Sequence, residues 1–362
     1  MDTRPASAPR LAAPPALLLA VYLVISLALL TSLLTGCTGE SEEIPYRTYL
    51  ERLGRTLDIE PPAVRPSEIP LPPRVGKLRQ PLPSDSLDTL DFLALTGCEV
   101  QVTIGKRNSS LGRLAAPSQR LLLELEYLRL APACIAHLHQ TDRTELANTL
   151  DKALQLKREQ LPALIFNATL GGPEYRAFWR GQATPGAYPA VDSGTAAQAL
   201  SNIDQLTRQW LGGDYRADNE GFEILLSEVA GGGGGRLHRE LDLQARWLAA
   251  ADAALAQRMA QGPLCGTQLR HPAADILPVV VRRFFVEGIQ AESAKMNGRQ
   301  YQLLPPVADL ETQLAGVLPD NYRQWMQARQ ASLDWSNAAP RRHVELLNEI
   351  QSPCGTSPAA DP

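Results

Sequence analysis

From Asp85 onward, apolar residues recur three and four positions apart between proline and glycine breaks, a spacing that suits helices and leaves almost no room for a sheet. Glu99 to Ile104 is the one stretch that alternates enough to permit a strand. Ser86 to Thr96 has Asp85, Asp88 and Asp91 in its first turns, where the helix dipole favours negative charge. Pro117 to Leu130 begins on a proline, with Pro132 beyond its end. Residues 142–161 open on Asp142 and Glu145, a capping-box-like pair, and set Leu146, Leu150, Leu154 and Leu161 along one side. Ser193 to Leu211 repeats Ala196, Leu200, Ile203, Leu206 and Trp210 and is closed by Gly212-Gly213. Leu237 to Met259 carries Leu241, Leu248, Leu255 and Met259 as a seam, and Gly231 to Gly235 before it reads as a flexible hinge or an insertion at a loop tip. Ile276 to Ile289 is apolar nearly all round and should be a central buried helix, although Val279-Val280-Val281 permits a strand. Helices near 306–316, 319–333 and 338–351 complete an all-α, irregular multi-helix bundle, read as a single domain over 85–352 with a tail at 353–362.

Residues 1–36 read as an export signal. Arg4 and Arg10 supply a positive start, and Ala16 to Leu34 is a 19-residue run without charge. About 20 apolar residues also span a bilayer, so an uncleaved membrane helix is the alternative. The run ends in Leu34-Thr35-Gly36-Cys37, which resembles a bacterial lipobox. In that class the cysteine thiol takes a diacylglycerol, the chain is cut before it, and palmitate-like acyl chains anchor the new terminus. Each buried methylene contributes about 0.8 kcal/mol and one chain binds only marginally, so two or three chains on Cys37 hold the protein on the membrane. Thr38, rather than an aspartate that would retain it on the inner membrane, points to the outer membrane facing the periplasm.

Five cysteines are an odd number. With Cys37 taken by lipid, Cys98, Cys134, Cys265 and Cys354 form an even set in an oxidising compartment. Of three possible connectivities, spacing favours Cys98–Cys134 and Cys265–Cys354, with buried free thiols as the other reading. No C-x-x-C supports a zinc ribbon or a redox pair. Lys plus Arg number 35 against 39 acidic residues, a net charge of −4, which argues against a nucleic-acid partner.

The lipidated N-terminus, 37–60, contains a short amphipathic helix at 46–58 with Tyr46, Tyr49, Leu50, Leu53 and Leu57 on one face. Eight of the 24 residues in 61–84 are proline, so this segment is neither helix nor central strand and reads as a spacer or as a segment that wraps a domain. Its Arg65, Arg74, Lys77 and Arg79 face only Glu68, a basic strip suited to anionic lipid or peptidoglycan.

Gly105-Lys106-Arg107-Asn108-Ser109-Ser110 has phosphate-cradle ingredients without the first glycine of a P-loop. Lys106, Arg107 and Arg113 could hold a carboxylate or phosphate head group; the alternative is a capped helix connection. Phe178-Trp179-Arg180 has the composition of an interaction hot spot or of a tryptophan packed under a loop. The candidate binding patch therefore comprises Lys106, Arg107, Asn108, Ser109, Arg113, Trp179 and Arg180. His137-x-His139 lacks the further ligands zinc takes, and no nucleophile elbow occurs, so neither a metal, a cofactor nor a catalytic residue is assigned.

Leu95-Thr96-Gly97-Cys98, Gly105 through Arg113, Pro117-Ser118-Gln119-Arg120, Leu128-Arg129-Leu130-Ala131-Pro132 and Asn167-Ala168-Thr169-Leu170, with the lipobox and proline segment, resemble a proteobacterial lipoprotein family of unknown function numbered 3080. The resemblance is strongest over 85–170. It implies an envelope lipoprotein, supports the cysteine pairing and transfers no site residues. The expectation is a membrane-anchored, non-catalytic lipoprotein that binds an envelope protein, lipid or peptidoglycan. The competing class is a periplasmic hydrolase acting on cell-wall or lipid material through a site assembled from distant residues.

Overall fold

A computed structural model describes residues 40–66, 68–83, 92, 94–180, 194–266 and 270–355. The export signal, Cys37, most of Ser86 to Thr96 and the end of the tail lie outside them. Residues before Pro45 form a unit of their own, of which 40–44 are described as the opening of a helix. The described residues of the larger unit form helices and their connections, with an isolated bridge between Cys265 and Arg270 and no strand. No helix among them is long and apolar enough to cross a membrane.

Helix α1 (Glu40–Leu57) buries the face read from its sequence: Tyr46, Tyr49, Leu50, Leu53 and Leu57 are all enclosed. After a proline-rich segment holding one helical turn, α2 (Val75–Leu78), come α3 (Val100–Asn108) and α4 (Ser110–Arg113). Glu99 to Ile104 thus opens into helix rather than strand. The hairpin α5 (Pro117–Gln140) and α6 (Thr144–Ala168) is followed by α7 (Pro173–Arg180), α8 (Gly194–Leu211) and α9 (Asn219–Gly231). Helix α10 (Gly234–Ala260) precedes α11 (Ala273–Val280), which widens into a π-helix over Val281–Gln290. Helices α12 (Ala291–Gln313) and α13 (Asp320–Gln351) finish the bundle.

Two apolar cores result. One gathers α3, α5–α9, the start of α10, α12 and the first half of α13; the other gathers α1, the rest of α10, α11, the π-helix and the end of α13. Helices α10 and α13 pack along each other and serve both. Each core holds one disulfide: Cys98–Cys134, with Cα atoms 5.4 Å apart, and Cys265–Cys354, with Cα atoms 5.1 Å apart.

Proline misplaces the helix ends in the sequence reading. Helix α5 runs past Pro132 to Gln140, α6 past Pro162 to Ala168, and α12 past Pro305 and Pro306. The two helices expected at 319–333 and 338–351 are one, passing Pro340. An internal proline removes a hydrogen bond and clashes with the carbonyl four residues back, at about 3 kcal/mol. Residues beyond each break recover that by burial: Cys134 and Leu138 after Pro132, Leu164 to Ala168 after Pro162, His343 and Leu347 after Pro340. Asp142 does not cap α6. It sits in the left-handed region at φ 58°, and Arg143 occupies the cap position without a side-chain bond.

The stretch Ile276 to Ile289 is not buried all round. Leu277, Val281, Phe285 and Ile289 face the core, while Ile276, Val279 and Val286 are half exposed. Residues spaced by four drift around an α-helix of 3.6 residues per turn, and the wider π-helix turns them back toward the same core.

Residues 61–83 do not stand off as a spacer. They lie along the helices as a strap, because prolines leave carbonyls unused by any backbone partner and side-chain donors take them. Arg246 Nη1 donates to Arg65 O at 3.1 Å, Trp325 Nε1 to Pro70 O at 3.1 Å, and Arg176 Nε to Pro73 O at 3.1 Å. Asn167 clasps Gln80 at two points, accepting from its N–H at 2.8 Å and donating to its carbonyl at 3.1 Å.

The glycine run is no hinge either. Gly232, Gly234 and Gly235 are buried between α9 and α10, and Arg299 Nη2 donates to Gly232 O at 3.1 Å. A Cβ at Gly234 would overlap the Phe178 ring, and one at Gly235 would overlap the Trp179 carbonyl, whereas Gly231 has open space. The backbone must approach α7 this closely for Phe178 and Trp179 to be enclosed. Gly235→Ala should therefore lower the unfolding free energy by about 2 kcal/mol or more, and Gly231→Ala should leave it unchanged or slightly raised. Chemical denaturation of the two variants measures the contrast, and equal stability would contradict the packing role.

Candidate functional site

Ionisable side chains meet in three buried clusters. The first lies between α7, α12 and α13. Tyr175 and Trp179 are four apart on α7, and Tyr322, Trp325 and Arg329 share a face of α13. Arg329 grips Glu311 of α12 with two bonds, Nη1 to Oε1 at 2.8 Å and Nη2 to Oε2 at 2.9 Å. Tyr322 and Tyr175 donate to Glu311 Oε1 at 2.6 and 3.2 Å. The Arg329 guanidinium carbon lies 4.7 Å from the Trp179 ring centroid and 4.8 Å from that of Trp325, a desolvated cation–π arrangement. Burial, then the Glu311 charge, raises the Tyr175 phenol above its ordinary range; burial, then Tyr175 and Glu311, does the same to Tyr322. Both phenols stay protonated and act as donors.

The second cluster joins α1 to α10 and α13. His343 Nδ1 lies 2.5 Å from Asp252 Oδ1, and its Nε2 lies 2.7 Å from the Tyr49 hydroxyl. Burial, then the Asp252 charge, raises the Tyr49 phenol, so Tyr49 donates to Nε2 and the proton on Nδ1 faces Asp252. This is the order of a general-base relay. Its terminal hydroxyl is enclosed, however: Tyr49 is 1% and His343 0% exposed. The relay holds α1 in place.

In the third, Glu124 of α5 meets Lys157 of α6 at 2.5 Å and Arg107 of α3 at 2.9 Å, with Lys157 Nζ 4.8 Å from the Tyr127 ring centroid. Removing one partner of a buried pair costs about 3–5 kcal/mol, so all three clusters act as fasteners between helices.

The seven residues of the predicted patch do not form one cleft. Arg107 is turned to Glu124, and Lys106 lies 3.6 Å from Glu126. Ser109 caps α4 by accepting from Gly112 N at 3.0 Å. Asn108 and Arg113 are exposed on the α3–α4 connection. Trp179 is 2% exposed inside the first cluster, and Arg180 follows it with its carbonyl accepting from Arg239 at 2.9 Å. The enclosed indole cannot line an open surface shared with α3, which packs on α5 while α7 packs on α9 and α10. His137 and His139 are exposed in the last turn of α5, and no group of three His, Cys, Asp or Glu able to hold a metal occurs among the described residues.

Open concavities lie elsewhere. A groove of about 470 Å³ passes Lys106, Gln119, Glu126, Arg129 and Tyr215. A broader depression of about 790 Å³ runs beside α1, past Arg47, Arg55, Asp58 and Trp247. A groove of about 440 Å³ lies between the strap at Pro62 to Pro66 and α10, bordered by Arg246 and Trp335.

Residues 46–358 match the family described as Protein of unknown function (DUF3080). The chain belongs to that family. No curated protein and no solved structure matches it.

His238 of α10, 1% exposed, lies 2.7 Å from Ser332 Oγ, and burial pushes its pKa down to about 4, with Asp242 opposing and Arg329 and Arg239 assisting. The native state thus resists a protonation that the unfolded chain accepts near 6.5. Stability from this residue is complete above that pH and falls as pH drops toward 4, by up to about 3 kcal/mol. Denaturation at a series of pH values should show this slope in the native sequence and a flatter one in His238→Gln. Identical slopes would contradict it.

Proposed function

We propose that the chain is an acyl-anchored lipoprotein of the bacterial envelope, facing the periplasm from the outer membrane, with a binding or structural rather than catalytic role. The carrying observation is how its cysteines are used. Four of the five pair as Cys98–Cys134 and Cys265–Cys354, and the fifth, Cys37, is the residue that ends the apolar run. Disulfides belong to an oxidising compartment, and a cysteine after Leu34-Thr35-Gly36 is the substrate of lipid attachment. Enclosure of the three ionisable clusters supports binding over hydrolysis: their charged groups pair with one another, and Tyr49 and His343 are enclosed. The grooves beside α1, along the strap and past Lys106 are the concavities open to a partner.

Fractionation of cells and intact mass of the purified protein test the anchor. The wild type should partition with membranes and lack residues 1–36 while carrying acyl chains; Cys37→Ala should accumulate as an uncleaved precursor without them. A wild-type mass that includes residues 1–36 and no lipid would overturn the proposal.

A further inference from the structure

The groove between the strap and α10 is built differently from the rest of the surface. Of five tryptophans, Trp335 is the one classed as exposed, at 41%, and its ring borders the groove. Ala249, Ala250 and Ala253 make a floor with little side-chain volume, and Pro62 to Pro66 make the opposite wall. Its volume of about 440 Å³ falls within the range of small-molecule sites, about 300–1,000 Å³.

The polar groups converge with one sign. Arg246 is held from two sides: Nε donates to Asp242 at 2.8 Å and Nη1 to Arg65 O at 3.1 Å. Its Nη2 has no hydrogen-bond partner among the described residues, and the side chain is among those lining the groove. The Arg65 side chain, on the strap, is exposed, and its guanidinium is also without a partner there. No acidic residue lines the groove and Asp242 balances Arg246, so the border is positive through Arg65 and through Arg342, whose guanidinium carbon lies 5.7 Å from the Trp335 ring centroid.

We infer that this groove binds a carboxylate-bearing sugar ring, such as the acidic amino sugar of the cell-wall glycan. An indole offers a flat, electron-rich face to the C–H face of a pyranose, the alanine floor leaves room for the ring, and the planar donor fork of a guanidinium suits a carboxylate in ways an ammonium does not. A neutral proline-rich peptide would satisfy the indole but leave both arginines unused. The inference rests on the envelope location proposed above and supplies the ligand class for that binding role.

Titration of the detergent-solubilised full chain with N-acetylmuramic acid, whose lactyl carboxylate is free, followed by calorimetry, tests it. Binding should saturate at millimolar concentrations or below. Trp335→Ala and Arg65→Ala should each weaken it about tenfold or more, as loss of one ring-face or charge-assisted contact implies, and N-acetylglucosamine, which lacks the carboxylate, should bind weaker by a similar factor. Both replaced side chains are exposed, so an unchanged melting temperature separates lost binding from lost fold. No saturable heat, unaltered affinity in Trp335→Ala, equal affinity for N-acetylglucosamine, or preference for a proline-rich decapeptide would each overturn it. The titration reads the groove whether or not Cys37 carries lipid, so its failure and failure of the anchor are told apart.

Discussion

The ion pair between Arg329 and Glu311 organises the larger core. It sits where α12 and α13 meet α7, with a tryptophan ring near the guanidinium from each of α7 and α13, and two phenols completing the carboxylate's hydrogen bonds. A charge buried this deeply is tolerated only when an opposite charge meets it, which ties the positions of three helices to one another. The requirement extends outward. Enclosing Trp179 needs the glycine backbone of the α9–α10 junction to pass directly over it, and the Trp325 N–H is met by the carbonyl of Pro70 in the strap.

The same logic of closure runs through the second core, where α1 has little backbone contact with other helices. Tyr49 anchors it by hydrogen bonding to His343 and stacking on Phe285, while Asp252 fixes the imidazole. The Cys265–Cys354 bridge joins the loop after α10 to the turn after α13. A chain-entropy estimate puts the two disulfides at about 4 kcal/mol each, as upper bounds, comparable with one buried ion pair. Fasteners of both kinds therefore distribute stability over a bundle of irregular crossings.

Helical class, apolar faces and cysteine pairing were legible because each depends on local spacing or on arithmetic. Tyr46 to Leu57 and Ala196 to Trp210 bury as their periodicity implies. Helix ends were not legible at Pro132, Pro162 and Pro340, where burial further along the chain outweighs the local penalty of a proline. Gly231 to Gly235 has the composition of a linker, and the Phe178 ring and the Trp179 backbone packed against it turn it into a packing surface. The ionic clusters left no motif at all. Tyr49 and His343 are 294 residues apart, and Asp252 lies 91 from His343. A lone histidine and a lone arginine carry no signal until the fold brings their partners. The Lys106 to Arg113 segment and Trp179 drew notice by composition, and the structure spends Arg107, Ser109 and Trp179 on holding helices together.

On the proposed binding role, recognition falls to the surface, where the strap walls one side of the Trp335 groove. All of this presupposes a chain folded in an oxidising compartment, with four cysteines paired and Cys37 kept apart. Non-reducing peptide mapping of the protein extracted from cells, with thiols alkylated beforehand, tests that most directly. The account requires linked peptides containing Cys98 with Cys134 and Cys265 with Cys354, and no alkylation at any of the four. Alkylated thiols at these positions, or a linked peptide containing Cys37, would contradict it.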